Sequence, residues 1–244
     1  MTVLAILQGR LSSTRLPGKV LAPVLGEPMI VRQLERLRRS TEIDKLVVAT
    51  SVDASDDPLV DELESRGIEV RRGPLNDVVA RFDSVVREFA PTTVVRLTAD
   101  CPLADPSVID RVIRTHISSG SDYTSNVLEP TYPDGLDVEA VSARAWARLV
   151  TLPLTEKERE HVTLGLYGRP EEFTLASVRQ EPDRSGLRWT VDVAGDLDFV
   201  RVVYERLYYE DSGFGQQAIL DLITQHPELN RTEQDLTRNA GLGQ

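Results

Sequence analysis

The sequence predicts an α/β protein with a mostly parallel sheet in a three-layer α/β/α arrangement. Three observations lead there. Short apolar runs alternate with amphipathic stretches through the first half, in the order β-α-β-α-β-α-β-α, and such alternation calls for parallel strands joined by helical crossovers. The amphipathic stretches repeat their apolar residues at helical spacing. Polar residues gather directly after the first and fourth apolar runs, at the strand ends where such sheets hold ligands.

The elements follow in order. "TVLAIL" (2–7) reads as a buried strand. "PMIVRQLERLRR" (28–39) places Ile30, Leu34 and Leu37 at helical spacing, with Pro28 suited to a first turn. "KLVVAT" (45–50) is a strand. "DDPLVDELESRG" (56–67) is a helix, acidic at its start and stopped by Gly67. "IEVRR" (68–72) is a strand, "NDVVARFDSVVREF" (76–89) a helix and "TVVRLTAD" (93–100) a strand ending in polar residues. "DPSVIDRVIRTHIS" (105–118) is the fourth helix. The second half is less regular. Strands are expected in 122–126, 134–142, 173–180 and 188–193 ("RWTVDV"), and helices in 195–210 and 216–227. "TLPLTEKERE" (151–160) reads as a polar boundary, and the tail from Pro227 as loosely ordered.

Length and composition narrow the class. The 244 residues suit one large domain, 41% hydrophobic and 27% charged. We divide it into a regular first half (1–120), a less regular second half (121–210) and a C-terminal helix and tail (211–244). The sequence has no apolar run long enough to span a bilayer and no basic leader before its first strand, so a membrane partner is not expected. Cys101 is the sole cysteine, which rules out an intrachain disulfide and fits the cytoplasm. A formal net charge of −11 disfavours nonspecific nucleic-acid binding.

Against that acidic background, "LAILQGRLSSTRLPGKVL" (4–21) puts Arg10, Arg15 and Lys19 in one loop after the first strand. Such a cluster suits a polyphosphate. Gly9 and Gly18 would let backbone amides approach an anion. It is not the familiar P-loop: Val20 follows Gly18-Lys19, and Ser13 stands where that motif has its first glycine. The plain alternative is a solvated turn pairing with some of the 39 acids. Asp100 follows the fourth strand and Asp192 lies in "RWTVDV". Two carboxylates beside phosphates are a usual cradle for Mg²⁺. Their plain alternative is capping, of a turn by Asp100 and of the next helix by Asp192.

"LQGRLSSTRLPGKVL" resembles the N-terminal signature of cytidylyltransferases that make CMP-activated sugar acids. With "RGPLNDVVARF", "VVRLTADCPLADPSVID", "DYTSN", "YPDGLDVE", "EREHVT" and "RWTVDVAGDL", the set resembles the spore-coat polysaccharide biosynthesis protein F family, in order from residue 4 to about 200. The resemblance implies the nucleotide-diphospho-sugar transferase (glycosyltransferase-A-like) fold, with CTP as substrate and Mg²⁺ as cofactor. It places Arg10, Arg15 and Lys19 on the triphosphate, with Gln8, Gly9 and Asp77 on the nucleotide side. It makes Asp100 and Asp192 the metal-binding acids, and Arg15, Lys19 and Asp100 the catalytic set. "LQGR" departs from the "IPAR" of the sugar-acid synthetases, which puts base contacts at that strand end in question. Related enzymes are often dimers.

The expected reaction is transfer of CMP from CTP to a small anionic acceptor (sugar acid, phosphate or phosphonate), in surface-polysaccharide or phosphonate pathways. Asn126, Asp137, Glu139, Glu160 and His161 have no evident structural role in the sequence, so they are assigned to the acceptor pocket. Two other readings stand beside this one. A nucleotide-sugar-dependent glycosyltransferase would ordinarily carry Asp-x-Asp where this chain has "TADCP" with one acid. A non-catalytic nucleotide-binding protein would have no need for the full set of Arg15, Lys19, Asp100 and Asp192.

Overall fold

A computed structural model describes residues 1–231. In chain order its strands and helices are β1 (Val3–Gln8), the short hairpin β2 (Pro23–Val24) and β3 (Glu27–Pro28), α1 (Met29–Leu37), β4 (Lys45–Ser51), α2 (Asp57–Ser65), β5 (Val70–Gly73), α3 (Val78–Phe89), β6 (Thr93–Thr98) and α4 (Pro106–Ser119). Then come β7 (Tyr123–Ser125), β8 (Glu139–Ser142), α5 (Ala143–Leu149), α6 (Glu156–Glu160), α7 (Leu164–Tyr167), β9 (Leu175–Ser177), α8 (Ala194–Leu207) and α9 (Gln216–Gln225). No helix among the described residues is long and apolar enough to cross a membrane.

Among the described residues, seven strands form the central sheet in the order β5-β4-β1-β6-β8-β7-β9. Strands β5, β4, β1 and β6 are mutually parallel. β8 runs antiparallel to both β6 and β7, and β9 returns parallel to β7. Alternation along β1 builds the three layers. Val3, Ala5 and Leu7 join one buried cluster with Ile30, Leu34 and Leu37 of α1 and with residues of α4 and α8. Leu4 and Ile6 join the other, with Val78, Phe82 and Val85 of α3 and Trp146 of α5. Successive side chains of a strand point to opposite faces, so a continuously apolar strand requires cover on both. Each such Leu or Ile contributes about 1.5–3 kcal/mol through burial.

Helix ends follow local chemistry. Pro28 is the N-cap of α1, one place before the expected first turn. Asp77 caps α3 by accepting from the Ala80 amide at 2.8 Å, and Asp105 caps α4 through Ser107. Arg66 ends α2, and Gly67 follows with a positive φ of 67°.

The second half departs from the sequence-based expectation in several places, besides the short helices α5 and α7, which that expectation omits. "RWTVDV" forms no strand; it makes one isolated bridge, Asp134 to Arg188. The segment is extended, but its backbone partners lie in separate places. Trp189 N donates to Asp134 O, Val191 N to Asp100 O and Arg188 N to Arg231 O, at 2.7, 2.8 and 2.9 Å. Among the described residues no single neighbour runs alongside it to make a ladder. The expected strand 134–142 begins only at Glu139. The polar boundary 151–160 contains α6, opened by a capping box between Thr155 and Glu158. The expected loose tail from Pro227 begins with a short 3₁₀ turn, Pro227–Leu229, and from residue 232 it lies outside the described residues.

Gly135 is where the 134–136 loop meets "RWTVDV". Its φ is 106°, and a Cβ there would lie 2.5 Å from Thr190 N and 2.6 Å from Trp189 C. Backbone atoms cannot swing aside as a side chain can. Gly135→Ala is therefore expected to cost on the order of 2 kcal/mol through strain at φ > 0, plus the displacement of this wall. Urea unfolding checks it: an unchanged midpoint would mean that the contact relaxes freely.

Candidate active site

The loop after β1 folds back on itself before it delivers its cations. Ser13 N and Gly18 N both donate to Leu11 O, at 2.8 and 3.0 Å. Leu11 N in turn donates to Oδ1 of the fully buried Asp56 at 2.7 Å, and Asp56 is also held by Thr50 and Ser51 at the end of β4. Gly18 adopts φ 72°, which turns the chain so that Lys19 points inward under the sheet edge. The parallel strands bring the loops after β1 and β6 to the same edge, so Lys19 meets Asp100.

Lys19 is buried, and its ammonium is fully engaged. Nζ donates to Val191 O at 2.6 Å, to Asp192 Oδ1 at 3.1 Å and to Asp100 Oδ2 at 3.5 Å. Arg15, still two-fifths exposed, reaches the same Asp192 Oδ1 at 2.8 Å. The other Asp192 oxygen accepts from Arg188 Nη2 at 2.7 Å. Arg188 is buried; it also donates to Asp134 Oδ2 at 3.0 Å and approaches Asp196 Oδ2 at 3.4 Å. Burial alone would push the Asp192 carboxyl up; Lys19, then the Arg188 hydrogen bond, overcome that and hold it below the ordinary aspartate value. Asp192 does not cap α8. Val193 is the N-cap, and Asp196 at the third helical position accepts from the Asp192 and Val193 amides at 2.9 and 3.1 Å.

A cavity of about 390 Å³ opens beside this cluster. Arg15, Asp100, Asp192 and Arg188 line it, together with Arg96, Glu139, Thr163 and His161. Arg96 and Thr98 share a face of β6, and Asp100 follows two residues on, so the strand's alternation sends all three to the same place. Glu139 sits opposite Arg96 in the β6–β8 register and forms a buried ion pair with it. Tyr123 Oη and Thr163 Oγ1 donate to its Oε1 at 2.6 and 2.7 Å. Burial acts to raise the Glu139 carboxyl, but Arg96 and these hydroxyls outweigh it and keep it below the usual glutamate value. Cys101 also lines the cavity; burial and then Asp100 push its thiol well up, so it stays protonated.

The other expected site residues divide. Asp137 and His161 line the cavity. Gln8, at the end of β1, accepts from Arg96 Nε at 3.3 Å. Gly9 is small because a Cβ there would come within 3.0 Å of the Ala99 Cβ. Arg10 stands 3.9 Å from Glu160, and neither lines the cavity. Asp77 caps α3 and pairs with Arg159 at 2.9 Å. Asn126, expected to face the acceptor, is instead fully buried and joins backbone segments. Its side-chain amide donates to Leu136 O at 2.7 Å and accepts from Val138 N at 2.9 Å. Arg188, Asp134 and Arg96 do not stand out in the sequence. Two signals point to Arg96 and Arg188 in retrospect: a polar residue at every second position from Arg96 through Thr98 to Asp100, and an Arg four residues before Asp192.

The two acids are suited to a divalent cation. Lys19 Nζ already stands as a cation between them. Among the described residues no group of three or more His, Cys, Asp or Glu could hold a metal alone. The remaining ligands would be phosphate oxygens and water, as Mg²⁺ prefers.

A mostly parallel sheet with a cationic loop and paired acids at one edge defines a nucleotidyltransferase of the nucleotide-diphospho-sugar transferase fold. The chain belongs to the cytidylyltransferase family, whose sequence profile matches residues 4–210. It is 31% identical over 234 residues to the spore coat polysaccharide biosynthesis protein SpsF of Bacillus subtilis, covering 93% of this chain and 95% of that one. A solved cytidylyltransferase from Leptospira borgpetersenii superposes with a TM-score of 0.88 at 27% identity, covering 94% of this chain and 96% of that one. A CMP:2-keto-3-deoxy-manno-octonic acid synthetase solved with CTP shares the fold, with a TM-score of 0.66 at 16% identity over 84% of this chain and 99% of that one.

Proposed function

We propose that the protein transfers CMP from CTP to a small anionic acceptor and releases pyrophosphate, with Mg²⁺ held by Asp100 and Asp192. The observation that carries this reading is the convergence of Lys19, Arg15, Asp100 and Asp192 beside the cavity. Arg15 and Lys19 bind and orient the triphosphate. An ionised acceptor oxygen attacks the α-phosphorus; its new P–O bond forms as the bond to the bridging oxygen breaks, and the electron pair leaves on pyrophosphate. The metal, when bound, supplies positive charge for the phosphate oxygens. The chain itself aligns two anions and stabilises charge on the leaving group.

We place the nucleotide in residues 1–120 and the acceptor in 121–210. On the nucleotide side Arg81, in "RGPLNDVVARF", is buried and its Nε has no hydrogen-bond partner among the described residues. Burial, then the neighbouring Arg10, lowers its guanidinium to about 10. Such a group favours a ligand acceptor nearby. On the acceptor side the Arg96–Glu139 pair, Thr163 and His161 present both donors and acceptors, which suits a hydroxylated or amino-bearing acid. Pyrophosphate release is the test, using each of the four nucleoside triphosphates with Mg²⁺ and a panel of sugar acids, phosphates and phosphonates. Release is expected with CTP and one acceptor class; equal turnover with UTP would sink the assignment of the base.

A further inference from the structure

Asp192 carries more positive charge than a metal ligand should before its metal arrives. Its Oδ1 is shared by Lys19 and Arg15, at 3.1 and 2.8 Å, and its Oδ2 is held by Arg188 at 2.7 Å. Lys19 also reaches Asp100 at 3.5 Å. Two acids thus meet three cations. These contacts differ in kind. Arg188 is fixed from behind: its side chain also binds Asp134, and its backbone N donates to Arg231 O. Arg15 stands on the folded loop and is two-fifths exposed.

We infer that Asp192 is a withheld ligand: Lys19 occupies the place of the divalent cation between Asp100 and Asp192 until a triphosphate draws Lys19 and Arg15 away. Arg188 is then a positioning residue, which keeps Oδ2 engaged and leaves Oδ1 turned toward Asp100. The physical reason is charge. A free divalent cation approaching this cluster meets the Lys19 ammonium in its seat and the Arg15 guanidinium beside it, whose repulsion offsets the attraction of the two acids; Arg188 counts for less, because Asp134 and Asp196 also pair with it. A nucleotide triphosphate brings several negative charges to the loop and gives Lys19 and Arg15 better partners. Metal and nucleotide therefore raise one another's affinity, and by linkage they do so equally. The inference rests on the proposed CTP reaction, since the triphosphate is what frees the acids.

The test is Mn²⁺ binding to the nucleotide-free protein, followed by calorimetry and by electron paramagnetic resonance of free Mn²⁺. The wild type is expected to bind Mn²⁺ weakly. Lys19→Met is expected to bind it at least tenfold more tightly, and adding Asp192→Asn to that variant should abolish the gain. Arg15→Gln, which changes a half-exposed side chain, is expected to give a smaller gain of about threefold and stands in if Lys19→Met does not fold. No gain in the folded variants overturns the inference, as does a gain that survives Asp192→Asn. CTP turnover by the wild type, measured separately, decides the proposed function. Turnover without a gain in Mn²⁺ affinity rejects the withheld ligand alone.

Discussion

Asp192→Asn is expected to lower kcat/KM for CTP by roughly 10²- to 10³-fold, about 3–4 kcal/mol of lost transition-state stabilisation. Asp192 accepts from Lys19, Arg15 and Arg188 at once. An asparagine removes its charge and turns one acceptor into a donor that faces cations. It is also a poorer ligand for a hard cation. The fold also loses stability, because the buried Lys19 and Arg188 lose a carboxylate partner. Pyrophosphate release measured beside thermal unfolding separates the two. Retention of more than a tenth of wild-type kcat/KM would remove Asp192 from the site. Activity persisting in EDTA would end the metal-assisted reading.

Glu139→Ala is expected to destabilise the protein by about 3–5 kcal/mol, because breaking a buried ion pair leaves its partner charge uncompensated. Arg96 would lose its carboxylate, and the hydroxyls of Tyr123 and Thr163 their acceptor. The same group sets a pH dependence. Its folded carboxyl lies below the ordinary value of 4.5, so the unfolded chain takes up the proton first. The stability it contributes is fully present above about pH 4.5 and is lost as pH falls through the folded value. Urea titrations at pH 7 and pH 4 should therefore converge for wild type and Glu139→Ala as the pH drops. Equal destabilisation at both pH values would show that lost packing, not charge, is responsible.

The parallel half of the fold was legible because its signals are local. The continuous apolar run of β1 and the Ile30, Leu34, Leu37 stripe of α1 each reflect a face they bury. "RWTVDV" misled for a physical reason: Trp189, Val191 and Val193 alternate with polar residues as in a strand, yet Arg188 to Val191 are all buried and the backbone partners belong to three separate segments. Alternation reports an extended chain, not a ladder. The α6 start was present in the sequence as Thr155 and Glu158, but a five-residue helix offers no periodicity to support it. At the site, the loop cations and the two acids stood out because charge at a strand end is unusual. Asn126 could not be read, since it joins backbone ten and twelve residues further on. Arg188 looked like an ordinary strand residue until folding gathered Asp134, Asp192 and Asp196 around it.

The lengths of the strands have a consequence for how such a chain can diverge. β1, β4 and β6 run six or seven residues and lock into parallel registers, whereas β7 and β9 have three residues each. Between them lie α6 and α7, of five and four residues. A short piece carries few backbone bonds, so insertion or replacement there disturbs little of the sheet. Mutational drift can therefore remodel the wall around His161 while the Lys19–Asp100–Asp192 geometry keeps its supports: Lys19 and Asp100 lie in the loops that follow the long β1 and β6, and Val191 N ties the segment of Asp192 to Asp100 O. A library randomised between residues 151 and 161, where no residue is buried, should yield many folded members, and one randomised between 93 and 104 few. With the acceptor seated at that wall, as proposed, new acceptor preferences would arise by local replacement on an unchanged frame.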